Sequence, residues 1–265
     1  MDAFAVAGGV SCHQERNRED LKKMDMGKNE VIYNGESVRI SATDNPEEVR
    51  VRFTDSITAF NKIKKAVIVG KGRLNTSIAA MIFEILEKNG VRTHFLDKVS
   101  ENELLCRRVE TIPIEVIVRN VIAGSMAARL GLREGLVPAS PVYDLCYKNS
   151  DLCNPLINDC HAVALGLVDE DELKTMYAMT AKINDVLKPL FLKVGICLAD
   201  FKIEFGRLPS GGLVLADEIT PDNARFWDAA TGEKYDKDRF RRDLGKVGDA
   251  YRTIYNKVLE IKESL

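Results

Sequence analysis

The stretch DFKIEFGRLPSGGLVLADE, Asp200 to Glu218, constrains the fold more than any other part of the chain. Successive side chains of a strand point to opposite faces. In DFKIEF, Phe201, Ile203 and Phe205 therefore share one face, and Asp200, Lys202 and Glu204 share the other. The apolar face demands a core. The polar face sets acid, base and acid about 7 Å apart, from a rise of ~3.3 Å per residue. GRLPSGG supplies turn residues, and LVLADE returns antiparallel to end in Asp217 and Glu218 on opposite faces. Whichever of those two faces the polar side can meet Glu204. Facing carboxylates beside a lysine suit a Mg2+ ion bridged to phosphates, because that ion takes oxygen ligands from one or two acids and the rest from water and nucleotide. The same spacing also describes a solvated, salt-bridged face.

A second constellation is IPIEVIVRNVIAGS, Ile112 to Ser125. It alternates apolar residues down a strand and places Arg119 at the end, before a helix opened by AGS. A forked guanidinium beside Ser125 and a helix N-terminus makes a cradle for phosphate or carboxylate. A paired strand-end arginine followed by an N-cap serine fits the same residues. VGKGRLN has only GxG, with Asn75 where a third glycine would complete a dinucleotide fingerprint, and no GxxxxGK[ST] occurs.

The remaining texture places these stretches in an α+β chain. Residues 1–28 are polar and read as a flexible leader. VIYNGESVRI and EEVRVRF are strand-like with a tight turn at Gly35. TSIAAMIFEILEKNG carries a helical apolar stripe, capped by Asn75 or Thr76 and ended by Gly90. VRTHFLDKV and ELLCRRVE add strands around His94, and His161 falls in a loop. Residues 171–194 and the last 27 residues read as helices. The pattern divides into a β-rich N-terminal lobe over 29–111 and an α+β C-terminal lobe over 112–265.

Net charge is −2 from 38 basic and 40 acidic side chains, so an anionic partner is a small, locally bound molecule rather than a nucleic acid. No apolar run approaches the ~20 residues of a membrane span, and MDAFAVAGGVSC lacks the basic start of a secretory signal. Six cysteines include no CxxC pair; Cys146, Cys153 and Cys160, with His161 beside the last, are spaced too widely for a usual zinc turn. Free thiols in a reducing cytoplasm are the expectation.

Both constellations resemble signatures of the SAICAR synthetases. IPIEVIVRNVIAGS is similar to the first and LADFKIEFG, Leu198 to Gly206, to the second. The likeness extends through LGLREG, the ADE, ITPD and ARFWD segments, and DKDRFR, and covers the chain from about Ile32 onward. The resemblance implies a ligase that joins CAIR and L-aspartate using ATP, giving SAICAR, ADP and phosphate, with an acyl phosphate on the way. It implies ATP in the cleft between two lobes, in a site similar to those of kinases and ATP-grasp proteins. Glu204 and Asp217 would hold Mg2+ and Lys202 would face phosphate or the CAIR carboxylate, making these three the catalytic set. Arg119, Ser125 and Arg225 would grip the CAIR phosphate. Gly35 and Arg39 would lie over ATP, with Lys202. In this loop the family carries a G-K-x-K turn, whereas YNGESVRI has Glu36 and Val38 in place of the lysines, and Asn154 stands where an acid is expected. Two alternatives follow: a related ligase or kinase acting on another carboxylate or phosphate, and a nucleotide binder with part of its ATP loop lost. Homo-oligomerisation is left open, as is the aspartate subsite.

Overall fold

The computed structural model describes residues 30–35, 37–60 and 63–265; the leader expected over 1–28 and Glu36 lie outside the described residues. The chain begins with β1 (Val31–Asn34), β2 (Val38–Ala42), β3 (Glu48–Phe53) and the hairpin of β4 (Ser56–Ala59) and β5 (Lys64–Val67). Helix α1 (Lys71–Lys88) follows, then β6 (Phe95–Lys98) and β7 (Glu103–Arg107). Alternation in β3 sends Val49, Val51 and Phe53 inward, as the sequence pattern requires. The sheet order is β1-β2-β3-β7-β6, antiparallel throughout.

The remainder holds β8 (Glu110–Arg119), α2 (Gly124–Leu130), β9 (Val142–Tyr147), β10 (Leu156–Ile157), α3 (Asp159–Ala164) and α4 (Glu170–Lys193). After these come β11 (Ile196–Arg207), β12 (Leu213–Leu215), β13 (Ala224–Asp228), α5 (Asp238–Arg241) and α6 (Val247–Glu263). Their sheet runs β10-β9-β8-β11-β12, with β13 also on β11. Strand β11 is the spine, and Phe201, Ile203 and Phe205 are fully buried in the main core, with α4 packed against the strand. Among the described residues no helix is long and apolar enough to cross a membrane.

Three local expectations are corrected. Helix α1 begins at Lys71, not at Asn75 or Thr76, because its cap comes from elsewhere in the fold. Gly70 stands at the cap with φ 83° and no side-chain cap of its own. The Asp55 carboxylate instead accepts the N–H groups of Gly70 at 3.0 Å and Gly72 at 2.9 Å. The C-terminal segment is not one helix: Asp243, Gly245 and Lys246 adopt left-handed φ of 55°, 68° and 51°. Arg239 holds that break by donating to the carbonyls of Gly245 at 2.7 Å and Leu244 at 3.2 Å. His161 lies not in a loop but in α3, where it completes a capping box with Asn158.

Candidate active site

The β8–β11 ladder brings the two sequence constellations side by side. Asp200 pairs with Arg119, Lys202 with Ile117 and Glu204 with Glu115. Like charges directly opposite on a sheet repel, and Lys202 resolves the conflict. Its Nζ donates to Glu204 Oε1 at 2.8 Å, Glu115 Oε1 at 3.1 Å and Asp217 Oδ2 at 3.1 Å. Lys148, just past β9, donates to the other Glu204 oxygen. Asp217 follows β12 as part of the connection to β13, and this open connection turns it, rather than Glu218, toward Lys202.

Burial disfavours the Lys202 ammonium, but Asp217, Glu204 and Glu115 outweigh that cost and raise its pKa well above the usual lysine range. Lys148 shows the same contest, its burial offset chiefly by Glu204, and its pKa also rises. Burial alone would raise Asp217; Lys202 and a hydrogen bond from Glu218 instead hold it well below the ordinary aspartate range. Glu218 goes the other way, raised by its own burial and by the neighbouring Asp217 charge. Two adjacent carboxyl groups are thus pushed in opposite directions, Asp217 down and Glu218 up.

A shallow, open cleft with a cavity volume of about 50 Å³ ends at this cluster. Val38, Ile40, Val51, Phe53 and Leu104 line it from the five-stranded sheet and Phe83 from α1, while His94, Asp217 and Glu218 stand at its polar side. Apolar walls with a few polar groups are the usual form of a small-molecule pocket. Val38 is therefore a wall residue. Gly35 lies in the β1–β2 turn, where a Cβ would approach Tyr33 Cε1 to 2.6 Å and Val38 O to 2.8 Å. Arg39 is exposed and alternates with Val38 and Ile40, so β2 turns it to the face opposite the cleft. The structure does not bring Arg39 to the other candidates.

The arginine candidates do converge. Arg119, 2% exposed, donates to Asp144 at 2.8 Å, Asp200 at 3.2 Å and Ser125 Oγ at 3.2 Å. Arg225 donates to the same Asp200 oxygen at 2.7 Å and to Asp238 at 2.9 Å. It lies tightly over Gly124, where a Cβ would meet Arg225 Nη2 at 2.5 Å and where φ is +54°. Only glycine fits that approach. Ser125 is exposed beside this chain.

Glu115 and Lys148 join this cluster without having been picked out from the sequence, where Glu218 stood only as the alternative to Asp217. Glu115 had a signal, since a charge interrupts the apolar run of a strand buried on both faces. Lys148 had none, because its place depends on how β9 ends against β8.

A family model described as SAICAR synthetase matches residues 31–258. A phosphoribosylaminoimidazole-succinocarboxamide synthase of Clostridium beijerinckii is 56% identical over 233 residues, 88% of this chain and 99% of that protein. The crystal structure of the same-named enzyme of Ehrlichia chaffeensis superposes with a TM-score of 0.85 at 40% identity, over 86% of this chain and 98% of that one. A SAICAR synthetase solved in complex with ADP gives a TM-score of 0.84 at 43% identity, over 86% of this chain and 97% of that one.

Proposed function

From the premise that this chain belongs to the SAICAR synthetase family, we propose that it joins CAIR and L-aspartate with ATP to give SAICAR, ADP and phosphate. The observation that carries the reading is the position of Asp217, which lies both at the end of an apolar cleft and within a cluster of carboxylates around Lys202. Residues 29–111 act as the nucleotide lobe and 112–265 as the substrate lobe. The base enters between the apolar walls, the Gly35 turn covers the phosphates, and the phosphate chain points to Lys202.

The donor set fits Mg2+: Glu204 and Asp217 each turn an oxygen to one cationic point, where Lys202 sits. Those two residues would hold the ion, which when bound neutralises charge on the transferring phosphate. Glu218, its pKa raised by burial and by the Asp217 charge, shares a hydrogen bond with Asp217 that favours the Asp217 anion. Lys148 steadies the second Glu204 oxygen. Lys202 pairs with the CAIR carboxylate, while Ser125, Arg225 and Arg119 fix the phosphate at the other end of that substrate. A carboxylate is a poor electrophile. Its oxygen therefore attacks the γ-phosphorus of ATP and ADP leaves; the aspartate amine then displaces phosphate from the acyl carbon and loses one proton. Positioning supplies much of the rate.

Formation of SAICAR, followed by mass, tests the overall reaction, and no product from CAIR and L-aspartate in a protein that binds ATP would sink it. Positional isotope exchange in ATP with CAIR present and aspartate absent tests the acyl phosphate.

A further inference from the structure

Behind the arginine chain, away from the cleft, two asparagines meet inside an apolar layer. Asn184 lies on the buried face of α4, otherwise built from Leu173, Met176, Ile183, Leu187 and Phe191 with Thr180. Asn120 Nδ2 donates to Asn184 Oδ1 at 2.8 Å, and Asn184 Nδ2 donates back to Asn120 Oδ1 at 3.0 Å. Asn120 Nδ2 also donates to the Leu198 carbonyl at 3.1 Å. Both side chains are buried, with exposures of 4% and 2%. The backbone N–H groups of Asn120 and Val121 both donate to the Ala199 carbonyl, at 2.8 and 2.9 Å.

The neighbours give this pair its meaning. Asn120 directly follows Arg119, and Ala199 directly precedes Asp200. The anchors therefore sit one residue behind the two groups whose ion pair opens the phosphate cradle. Leucines could pack α4 on the sheet without desolvating any amide. They could not set the angle at which β8 leaves the sheet, whereas reciprocal amides have one good distance and plane.

We propose that Asn184 is a positioning residue for the phosphate-binding edge. Through Asn120 it fixes the exit of β8, and with it the direction of Arg119 and the placement of Ser125. A helix residue with no face on the cleft thereby sets affinity for the phosphate end of the substrate. This rests on the reading of Arg119, Ser125 and Arg225 as the cradle.

The test compares the parent with Asn184→Leu and Asn184→Ser, the second keeping a polar group should the first fail to fold. KM for CAIR, KM for ATP and kcat are measured, together with kcat/KM for the nucleoside analogue of CAIR that lacks the phosphate. The expected result is a rise of about tenfold in KM for CAIR, the size of one displaced charge-assisted hydrogen bond. KM for ATP, kcat and turnover of the dephosphorylated analogue stay within about twofold. An unchanged KM for CAIR in a folded variant, or an equal loss with both substrates, overturns the proposal, because a merely structural asparagine would do one or the other. Ser125→Ala in the parent separates the two layers. If it leaves discrimination between the two substrates intact, the cradle reading itself falls and takes the proposal with it.

Discussion

Asp200 and Glu204 stand on the same face of β11, both buried and both bridging two cations, yet the groups around them are built differently. Asp200 is shared by two guanidinium groups. Around it Arg119, Arg129, Arg225, Arg241 and Arg242 surround Asp144, Asp200 and Asp238, so positive charge is in excess. Glu204 is shared by two ammonium groups, and Lys202 and Lys148 face three carboxylates, so negative charge is in excess. The hardware differs as well. Planar forks hold fixed geometry, whereas lysine is a point charge on a flexible stem. One end is a rigid scaffold with a residual appetite for anions. The other is an acidic pocket with a lysine at its centre.

The comparison breaks if both ends respond alike to removal of a carboxylate. Asp217→Asn or Glu204→Gln should cut kcat by roughly a thousandfold, the scale of losing a preorganised charge in the transition state. Thermal melts of the same variants should move little, because one surplus acid is gone. Asp200→Asn should do the reverse in emphasis, costing about 3–5 kcal/mol in denaturant unfolding, since two desolvated guanidiniums lose their common partner. A melt of Glu204→Gln as depressed as that of Asp200→Asn would erase the distinction.

His94 sharpens the contrast through pH. Burial, opposed by Asp217, lowers its pKa to about 4 from 6.5. The unfolded chain binds that proton first, so stability is full above about pH 6.5 and falls as pH drops toward 4, by up to about 3 kcal/mol. His94→Gln should flatten the unfolding free energy across that window, and an unchanged slope would assign the acid limb to other groups. Ser125→Ala should raise KM for CAIR about tenfold, the cost of one hydrogen bond to a charged group at the low end of its range. Arg39→Ala should change KM for ATP less than about twofold, because the side chain is exposed on the face away from the cleft.

Much of this was legible because a strand has a period of two. DFKIEF declared its core face and its polar face, and IPIEVIVR declared a strand ending in Arg119. What the period does not carry is registry between strands. Asp200 looked like a third member of the lysine group, yet pairing opposite Arg119 and Arg225 assigns it to the other one. Whether Asp217 or Glu218 meets Lys202 was equally hidden, since both follow β12 rather than belonging to it. Partners on distant elements were least visible: Lys148 depends on the end of β9, and the cap of α1 on the Asp55 carboxylate from the preceding corner. Arg39 lies apart from the other candidates for the opposite reason. Chain proximity to the Gly35 turn suggested a role that strand alternation, applied to Val38 and Ile40, would have denied.

ADP release in the presence of ATP, Mg2+, CAIR and L-aspartate, with each omitted in turn, tests the account most directly when run on the parent and on Asp217→Asn. The account predicts release that requires all four components and collapses in the variant while its fold and ATP binding persist. Release that continues in Asp217→Asn, or that proceeds without L-aspartate at the full rate, would contradict it.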